Sequence, residues 1–571
     1  MVNWGIAMDG ADWLLAALAA EGIDVLTGNP GSTELPLIDA LPRQRSVRYV
    51  ACLHESVAVG VADGMAQVSG RPAAVNLHVQ PGLANGLSGI LNAARARVPM
   101  LVTVGQQVTG LAEEAPFLGG DVVGMAVPPA KAAFEPRNRG ELARDVRRAL
   151  SAARAHPRGP VVLSLPLDVQ AGRSPALPHA AVDVAPALPP PPDRLHAAAD
   201  LLRVARAPAI VAGDGIVAAE AGHALVALAE RLGAPVFGEP MGARQPVPSD
   251  HPGWRGPLPN LGAQSRSALD GHDLVFLVAM PWLRIFGPSP GPPLPSDATV
   301  VHLDVDPAEV ARADVARLAL VGDPAAALDA LVRLLGPADA AARARTRAVA
   351  ADGARARRTS RAAVVRAAGA SSSITSARLA LALADMIGPN DLVVDEALTS
   401  ARPLRAAVSR RRSGTWLAHR GSALGWGLPA AVGAAMADRT RRVLCVHGDG
   451  GALFGVEALW TAANQGVPLA VVIADNGGYE ILRAGLEGLT GRADGDWPGL
   501  WLDRPRLDLV AICRGYGADA ARIDAPGELR GALRELWHRA RTGPAVLVVG
   551  VRGPSAPIGG PIASRARADE N

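Results

Sequence analysis

The chain has 571 residues and a formal net charge of +3, and 49% of its residues are hydrophobic. This length is too great for one hydrophobic core, so several domains are expected, and the apolar content excludes a disordered chain. Aromatic residues make up only 3%, so stacking platforms for nucleic acid are scarce and no nucleic-acid partner is predicted. Lys131 is the single lysine and there is no GxxxxGKS/T loop, which argues against pyridoxal enzymes and P-loop nucleotidases.

The start of the chain and its cysteines favour a cytoplasmic protein. The opening residues, MVNWGIAMDGADWLL, lack the basic region of a signal peptide. No run of about 18 uncharged apolar residues predicts a membrane span, so no membrane partner is expected. Cys52, Cys445 and Cys513 are far apart and form no CxxC pair, which suits buried thiols in a reducing compartment.

Two interruptions divide the chain into three blocks. The proline-rich segment 181–193 predicts a semi-rigid linker. A second segment, about 336–373, is rich in alanine and arginine, and its interior predicts a solvent-facing helix. The predicted domains are therefore residues 1–180, 194–340 and 373–555.

Each block alternates short apolar runs with helical patterns, which is typical of parallel sheets. The predicted strands in chain order are 72–77, 100–104 and 160–165, then 207–212, 274–278 and 299–305, then 391–394, 442–446, 469–474 and 545–549. The predicted fold class is α/β, with three consecutive parallel-sheet domains. The first and third blocks are compatible with a duplication, but no sequence repeat proves one.

Glycine-rich segments follow two strands of the third block, HGDGG at 447–451 and DNGGY at 475–479. Glycines after a strand let the backbone approach a diphosphate, and the following helix start favours its charge. An aspartate beside a phosphate needs a divalent cation between them, and carboxylate, amide and carbonyl oxygens suit Mg²⁺. The two segments together predict a magnesium–diphosphate site, although each alone is compatible with a simple turn.

These segments resemble the GDG…NN motif of thiamine diphosphate (ThDP) enzymes. Further similar stretches are GNPGSTELPLIDALP at 28–42, HESVAVGVADGMAQVSGRPAAVNLH at 54–78 and GSALGWGLPAAVGAAMA at 421–437. Over nearly its whole length the chain is similar to the benzoylformate decarboxylase and acetolactate synthase superfamily, closest to the benzoylformate decarboxylase branch. The resemblance implies that the blocks are pyrimidine-binding, central and diphosphate-binding domains.

The resemblance also implies the cofactor contacts. Asp449, the Asn476 side chain and the Gly478 carbonyl match the Mg²⁺ ligands, whereas Asp475 replaces a family asparagine that is not a ligand. Glu55 matches the glutamate that exchanges a proton with the aminopyrimidine ring of ThDP. The remaining implied contacts are the wedge residue Leu424, the Ser422 carbonyl, Thr399, Gly448, Gly450, Gly451 and Tyr479.

On the substrate side, the resemblance implies three catalytic residues. Ser32 matches the serine that binds the substrate carboxylate, and His78 matches a histidine that transfers protons; Glu55 is the third. Phe286 stands where benzoylformate decarboxylase has a second active-site histidine, which leaves the identity of the 2-oxo acid open. The other expected pocket residues are Phe117, Leu118 and Ile481.

The implied reaction is the ThDP- and Mg²⁺-dependent, non-oxidative decarboxylation of a small 2-oxo acid to an aldehyde. The main alternative is an acetolactate-synthase-like carboligase that joins the decarboxylated substrate to a second carbonyl compound. Glu55 and Asp449 fall in different predicted domains, and in this family such halves come from different chains, so a homodimer or homotetramer is implied.

The middle block is also compatible with a second cofactor or with a different chemistry. One such cofactor is a flavin in the central domain, as in acetolactate synthases. A nicotinamide oxidoreductase is compatible with Gly213-Asp214-Gly215 after a predicted strand, although the third glycine of that fingerprint is missing. A non-catalytic binding protein is disfavoured because Glu55, Asp449 and Asn476 are costly to bury without a ligand.

Overall fold

A computed structural model describes residues 8–174, 187–287, 289–312, 315–369, 371–409, 412–492 and 497–552. Across these residues, three six-stranded sheets follow one another along the chain: the first, middle and third sheets. All strand pairings inside the three sheets are parallel. The predicted fold class is therefore confirmed.

The first sheet has the strand order β3-β2-β4-β5-β7-β6. A short strand β1 (Met8–Asp9) pairs antiparallel with β8 (Arg173–Ser174) beside it. The sheet strands are β2 (Val25–Gly28), β3 (Arg48–Ala51), β4 (Ala73–Leu77), β5 (Met100–Gln106), β6 (Ala132–Phe134) and β7 (Pro160–Pro166). The helices are α1 (Gly10–Ala20), α2 (Leu35–Ala40), α3 (Glu55–Ser69), α4 (Val79–Arg95), α5 (Val122–Ala126), α6 (Arg139–Arg154) and α7 (Leu167–Ala171), with 3₁₀ helices at Ser32–Glu34 and Thr109–Glu114.

The middle sheet has the order β11-β10-β9-β12-β13-β14. Its strands are β9 (Pro208–Ala212), β10 (Val236–Gly238), β11 (Trp254–Pro257), β12 (Leu274–Val278), β13 (Thr299–Asp304) and β14 (Ala316–Val321). Its helices are α8 (Pro192–Val204), α9 (Gly215–Ala218), α10 (Gly222–Leu232), α11 (Gly262–Ala268), α12 (Pro307–Ala311) and α13 (Pro324–Leu335), and the long helix α14 (Ala340–Ala368) leads to the third sheet.

The third sheet has the order β16-β15-β17-β18-β20-β19. Its strands are β15 (Leu392–Glu396), β16 (Trp416–Ala418), β17 (Val443–Gly448), β18 (Leu469–Asp475), β19 (Asp519–Ile523) and β20 (Pro544–Gly550). Its helices are α15 (Ser376–Ala384), α16 (Ala401–Ala407), α17 (Gly427–Ala437), α18 (Asp449–Ala452), α19 (Ala458–Asn464), α20 (Glu480–Thr490), α21 (Leu509–Gly515) and α22 (Leu529–Arg539).

Successive residues of the central strands enter different hydrophobic clusters, because the side chains of a strand alternate between its two faces. In β4, Val75 packs in the cluster shared with the third sheet, whereas Ala74 packs in a cluster on the opposite face. Burial on both faces explains why these strands are continuous apolar runs in the sequence.

Helices α3 and α17 connect the first and third sheets through small residues. A Cβ at Gly64 would lie 2.1 Å from the Ala430 carbonyl oxygen, and one at Gly433 would lie 1.9 Å from the Val61 carbonyl oxygen. Only glycine permits backbones to approach so closely. This contact places the start of α3, and therefore Glu55, relative to the third sheet.

All ten predicted strands are present in the structure, with ends shifted by at most a few residues, and the predicted solvent-facing helix is α14. Residues 181–186 of the predicted linker lie outside the described residues; α8 begins at Pro192, inside the segment taken as a linker. Cys52, Cys445 and Cys513 are buried and free, as predicted. Among the described residues, no helix is both long and apolar enough to cross a membrane. The predicted domain limits stay predictions.

Candidate active site

The predicted site residues form two groups, one at the carboxyl ends of strands in the first sheet and one in the third. In the first group, Glu55 is the first residue of α3 and is buried. Its Oε2 accepts a hydrogen bond from Asn85 Nδ2 at 3.0 Å. A Cβ at Gly82 would lie 3.2 Å from Glu55 Oε1 and 3.5 Å from the Cβ of His78, so Glu55 and His78 face the same side of α4.

His78 is held by a buried glutamate that sequence reasoning did not select. The Nδ1 atom of His78 lies 2.7 Å from Glu34 Oε2 and 3.3 Å from Thr33 Oγ1. Glu34 is fixed in turn, because its carboxylate accepts hydrogen bonds from Gly31 N at 2.8 Å and from Thr33 Oγ1 at 2.7 Å. An ionised Glu34 keeps the proton of a neutral imidazole on Nδ1, which leaves Nε2 free to accept one.

Ser32 lies in the same group. It begins the short 3₁₀ helix that contains Thr33 and Glu34, and it is exposed. The preceding Gly31 packs against the His78 ring, where an added Cβ would come within 2.3 Å. The structure therefore brings the three predicted catalytic residues, Glu55, His78 and Ser32, to one edge of the first sheet.

The second group joins the ends of β17 and β18. Asp449 Oδ2 accepts hydrogen bonds from Gly477 N at 2.8 Å and Gly478 N at 3.1 Å. Asn476 Oδ1 accepts from Gly478 N at 3.2 Å. These oxygens lie together because β17 and β18 are adjacent parallel strands.

Asp475, which replaces the family asparagine, forms ion pairs with two arginines. Its Oδ2 pairs with Arg522 at 2.6 Å and Arg506 at 3.2 Å, while Oδ1 accepts from Gly477 N at 3.1 Å. The positive charges of Arg522 and Arg506 therefore balance the negative charge that Asp475 adds at the end of β18.

The second group fits a divalent cation and a diphosphate. Burial, together with the nearby Asp475 carboxylate, raises the pKa of Asp449 to about 6. No group of three or more His, Cys, Asp or Glu side chains that would suit a metal occurs in the described residues. A Cβ added at Gly448 would meet nothing within 4 Å, whereas one added at Gly450 would lie 2.6 Å from the Tyr479 ring.

The segment between β16 and α17 contains Ser422 and Leu424, and neighbouring elements hold it. Asn92 of α4 bonds both backbone groups of Ala423, donating from Nδ2 to its oxygen at 2.9 Å and accepting at Oδ1 from its nitrogen at 3.2 Å. Glu396 accepts from the nitrogens of Gly425 and Gly427. Ser422 has a φ of +64°, a conformation that favours glycine.

Glu396 also lies 2.9 Å from His447 Nε2, and both side chains are fully buried. The Glu396 carboxylate therefore faces the loop that carries Leu424. Thr399 follows β15 and is partly exposed. Gly451 contacts the His447 ring, where an added Cβ would lie 2.9 Å away.

The predicted pocket residues lie on separate elements. Phe286 and Ser422 line a cavity of about 500 Å³ between the first and middle sheets. Phe117 is 86% exposed, Leu118 follows it with a φ of +64°, and Ile481 lies in α20 next to Tyr479. Among the described residues, no hydrogen bond or ion pair links the group of Glu55 and His78 to the group of Asp449 and Asn476.

The glycines at the end of β9 serve internal packing. An added Cβ at Gly213 would lie 2.5 Å from Met280 and 2.7 Å from the Ala279 oxygen. The Asp214 carboxylate accepts from Ala243 N at 3.0 Å and Arg244 N at 2.8 Å. The middle sheet does have the strand order of dinucleotide-binding folds, but protein atoms fill this turn, so the nicotinamide hypothesis loses its support.

Three family models match the chain in succession. They are the N-terminal TPP binding domain of thiamine pyrophosphate enzymes at residues 8–124, the central domain at 195–331 and the C-terminal TPP binding domain at 401–549. Each match contains strands of one of the three sheets, and the first and third contain the two groups of site residues.

Individual proteins and solved structures of this family are also similar to the chain. The chain is 37% identical to a benzoylformate decarboxylase of Pseudomonas aeruginosa, over 90% of this chain and 94% of that protein. It is 26% identical to the acetolactate synthase isozyme 1 large subunit of Escherichia coli, over 95% and 93%. Among solved structures, a ThDP-dependent 4-hydroxybenzoylformate decarboxylase of Rhodococcus jostii has a TM-score of 0.85 at 28% identity, covering 96% of this chain and 100% of that one.

Proposed function

We propose that this chain, which belongs to the family of thiamine pyrophosphate enzymes, decarboxylates a 2-oxo acid without oxidation and releases an aldehyde. The observation that carries the proposal is the gathering of Glu55, His78 and Ser32 at one strand edge, in a chain 37% identical to a benzoylformate decarboxylase. An acid, a histidine with a fixed tautomer and a hydroxyl are the groups that this reaction needs.

The second group of residues would hold the cofactor and its metal. Asp449, the Asn476 side chain and the Gly478 carbonyl would bind Mg²⁺, and the backbone of Gly448, Gly450 and Gly451 would lie along the diphosphate. Tyr479 and Thr399 would complete the contacts. When bound, thiamine diphosphate supplies the nucleophilic carbon and the electron sink for the reaction.

Glu55 would hold and return the proton that activates the cofactor. Its carboxyl lies at the N-terminus of α3, where the helix dipole favours negative charge, and Asn85 orients one of its oxygens. The Ser422 carbonyl and the Leu424 side chain would orient the pyrimidine and thiazolium rings relative to this carboxyl.

His78 and Ser32 would act on the substrate. With the proton on Nδ1 facing Glu34, His78 Nε2 is available to accept and return a proton at the reacting carbonyl oxygen. The exposed Ser32 hydroxyl would donate a hydrogen bond to the substrate carboxylate. Phe286, Phe117, Leu118 and Ile481 would provide apolar surface around the rest of the substrate.

A carboligase is the second candidate, supported by the similarity to acetolactate synthases over most of the chain. A panel of 2-oxo acids, each supplied with ThDP and Mg²⁺, separates the two functions. We expect stoichiometric CO₂ and free aldehyde; a 2-hydroxy ketone as the main product would favour the carboligase. No CO₂ from any acid, with ThDP bound, would contradict both.

We further propose a homodimer or homotetramer in which each site combines Glu55 of one chain with Asp449 of another. Among the residues that the structure describes, no hydrogen bond within one chain joins the two groups. Large apolar side chains of the first and third domains are exposed, including Leu53, Phe117, Phe454 and Leu482. Their exposure is suited to cover by a second copy. We also propose a cytoplasmic location, supported by the free, buried cysteines.

Complementation tests the shared site. Glu55→Gln and Asp449→Ala variants, inactive alone, are expected to regain about a quarter of the parent activity when co-expressed in equal amounts, because half of the random dimers contain one intact site of two. If each chain holds a complete site, co-expression restores nothing. Sedimentation of the parent gives the oligomeric state independently.

A further inference from the structure

Arg420 links the segment after β16 to the middle sheet through two buried carboxylates. Its Nη1 donates to Asp214 Oδ2 at 2.5 Å, and its Nη2 donates to Glu239 Oε2. The Arg420 side chain is only 7% exposed, and both acids are more deeply buried. A planar guanidinium that binds one carboxylate at each of its two terminal nitrogens makes strong hydrogen bonds and is also held in one orientation.

Backbone N–H groups also hold the Asp214 and Glu239 carboxylates in place, in addition to Arg420. Asp214 accepts from Ala243 N and Arg244 N, and Glu239 Oε1 accepts from Asp214 N at 2.8 Å. Arg420 therefore binds to a rigid acceptor on the middle sheet, and its backbone position is set by a part of the molecule remote from β16 in sequence.

The segment that begins at Arg420 is the one that carries Ser422 and Leu424. Beyond Arg420, Asn92 holds Ala423 from the first sheet, and Glu396 holds Gly425 from the third. A Cβ at Gly421 would lie 2.4 Å from Asn92 Oδ1. Between these attachments Ser422 has its positive φ. A non-glycine residue keeps such a conformation only where its surroundings impose it.

We propose that Arg420 is a positioning residue for the cofactor: it imposes the backbone shape of residues 421–424, so that the Ser422 carbonyl and the Leu424 side chain face the ThDP site. This inference rests on the proposed function, which assigns those two contacts. Arg420 itself contacts neither cofactor nor substrate in this proposal.

Arg420→Lys tests the proposal, because lysine keeps the charge but cannot divide two ends between Asp214 and Glu239. Losing one charge-assisted hydrogen bond corresponds to about a tenfold change. We therefore expect the dissociation constant of ThDP, titrated by tryptophan fluorescence at saturating Mg²⁺, to rise about tenfold. The KM for the 2-oxo acid at saturating cofactor should change by less than about twofold.

Arg97→Lys is the matched control. Arg97 also pairs with two acids near the middle sheet, Asp304 at 2.7 Å and Asp306 at 3.4 Å, but it is not part of the 420–424 segment. We expect both variants to lower the Tm of the cofactor-free protein and only Arg420→Lys to weaken ThDP binding. Equal dissociation constants in Arg420→Lys and Arg97→Lys would overturn the proposal and reduce Arg420 to a structural role.

Two further variants make the test independent of how well Arg420→Lys folds. Glu239→Gln weakens the same clamp from the middle sheet and should raise the ThDP dissociation constant about threefold. Adding Ser422→Gly to Arg420→Lys should recover most of the lost affinity, because glycine adopts a positive φ without constraint. Failure of this rescue would contradict positioning through Ser422. A parent protein that does not bind ThDP would instead overturn the proposed function.

Discussion

The first and third sheets have the same topology, but the side chains at their strand ends differ in kind. If the six strands of each are numbered along the chain, both sheets have the order 2-1-3-4-6-5, whereas the middle sheet has 3-2-1-4-5-6. The third strand of the first sheet, β4, is followed by His78, and its counterpart in the third sheet, β17, leads to Asp449. One arrangement of strand ends thus presents the proposed proton-transfer groups in one sheet and the proposed oxygen ligands for a cation in the other.

The comparison extends to a pair of buried glutamates. Glu34 follows the first strand of its sheet and pairs with His78; Glu396 ends the first strand of the third sheet and pairs with His447. The difference lies in exposure, since the His78 side chain is 24% exposed and that of His447 is 0% exposed. The exposed ring of His78 is therefore open to the proposed proton transfer, whereas the buried pair of Glu396 and His447 lies against the loop that carries Leu424.

The largest expected effect comes from the acid of the first sheet. Glu55→Gln keeps the shape of the side chain but cannot exchange a proton, so kcat should fall by about 10²–10⁴-fold while ThDP and Mg²⁺ still bind. Exchange of the reactive hydrogen of the cofactor, followed by NMR after rapid quenching, measures the step directly. Exchange at the parent rate would remove Glu55 from the mechanism.

His78→Ala, by contrast, should leave the exchange rate of the cofactor hydrogen near that of the parent while turnover falls.

The second prediction concerns the proposed cation site of the third sheet. Asp449→Ala removes an anionic ligand, so the affinity for Mg²⁺ and with it for ThDP should fall about 10–100-fold, with the far-UV circular dichroism unchanged. Raising Mg²⁺ should restore part of the activity, which it cannot do for Glu55→Gln. Tight ThDP binding by Asp449→Ala at limiting Mg²⁺ would show that the cation site lies elsewhere.

The third prediction concerns the joint between the two sheets, where Asp63 of α3 accepts hydrogen bonds from Trp426 Nε1 and Gln67 Nε2. Burial raises the pKa of Asp63 from 3.8 to about 6. The folded state thus binds this proton more tightly than the unfolded state, and the stability it contributes below pH 4 is lost as the pH rises through 6. The loss is about 2–3 kcal/mol, at 1.36 kcal/mol per pKa unit.

Asp63→Asn should remove this pH dependence. Its amide N–H₂ can donate to Gln67 Oε1, which is buried without a partner in the described structure. Urea unfolding at several values between pH 4 and pH 8 should show that the stability of the variant relative to the parent rises by about 2–3 kcal/mol across this range. A constant difference would mean that Asp63 does not titrate with a raised pKa in the folded protein.

The smallest expected effect separates the two glutamate–histidine pairs. Glu34→Gln should lower kcat about tenfold, because the carboxylate that fixes the tautomer of His78 is lost. Glu396→Gln should instead lower the free energy of unfolding by about 1 kcal/mol and weaken ThDP binding. Identical behaviour of the two variants would contradict the distinction drawn from exposure.

The strands of the three sheets that sequence patterns did not predict lie at the sheet edges or next to them. Strands β6, β10 and β16 have only three residues each, too few for an apolar run to stand out from neighbouring helices. The predicted strands, such as β4, β5, β17 and β18, lie centrally and are buried on both faces, so their sequences are continuously apolar.

The sequence by itself determined where the central strands end, and therefore that His78 and Asp449 lie at such ends, because buried strands followed by glycines and polar residues form a local pattern. Glu55 follows the edge strand β3, which the sequence patterns did not predict. Only the tertiary structure decided which charges meet. Glu34 and His78 are 44 residues apart, and Asp214 and Arg420 are 206 apart. No local pattern records such pairs, because burial compels a carboxylate to find a partner without specifying which one.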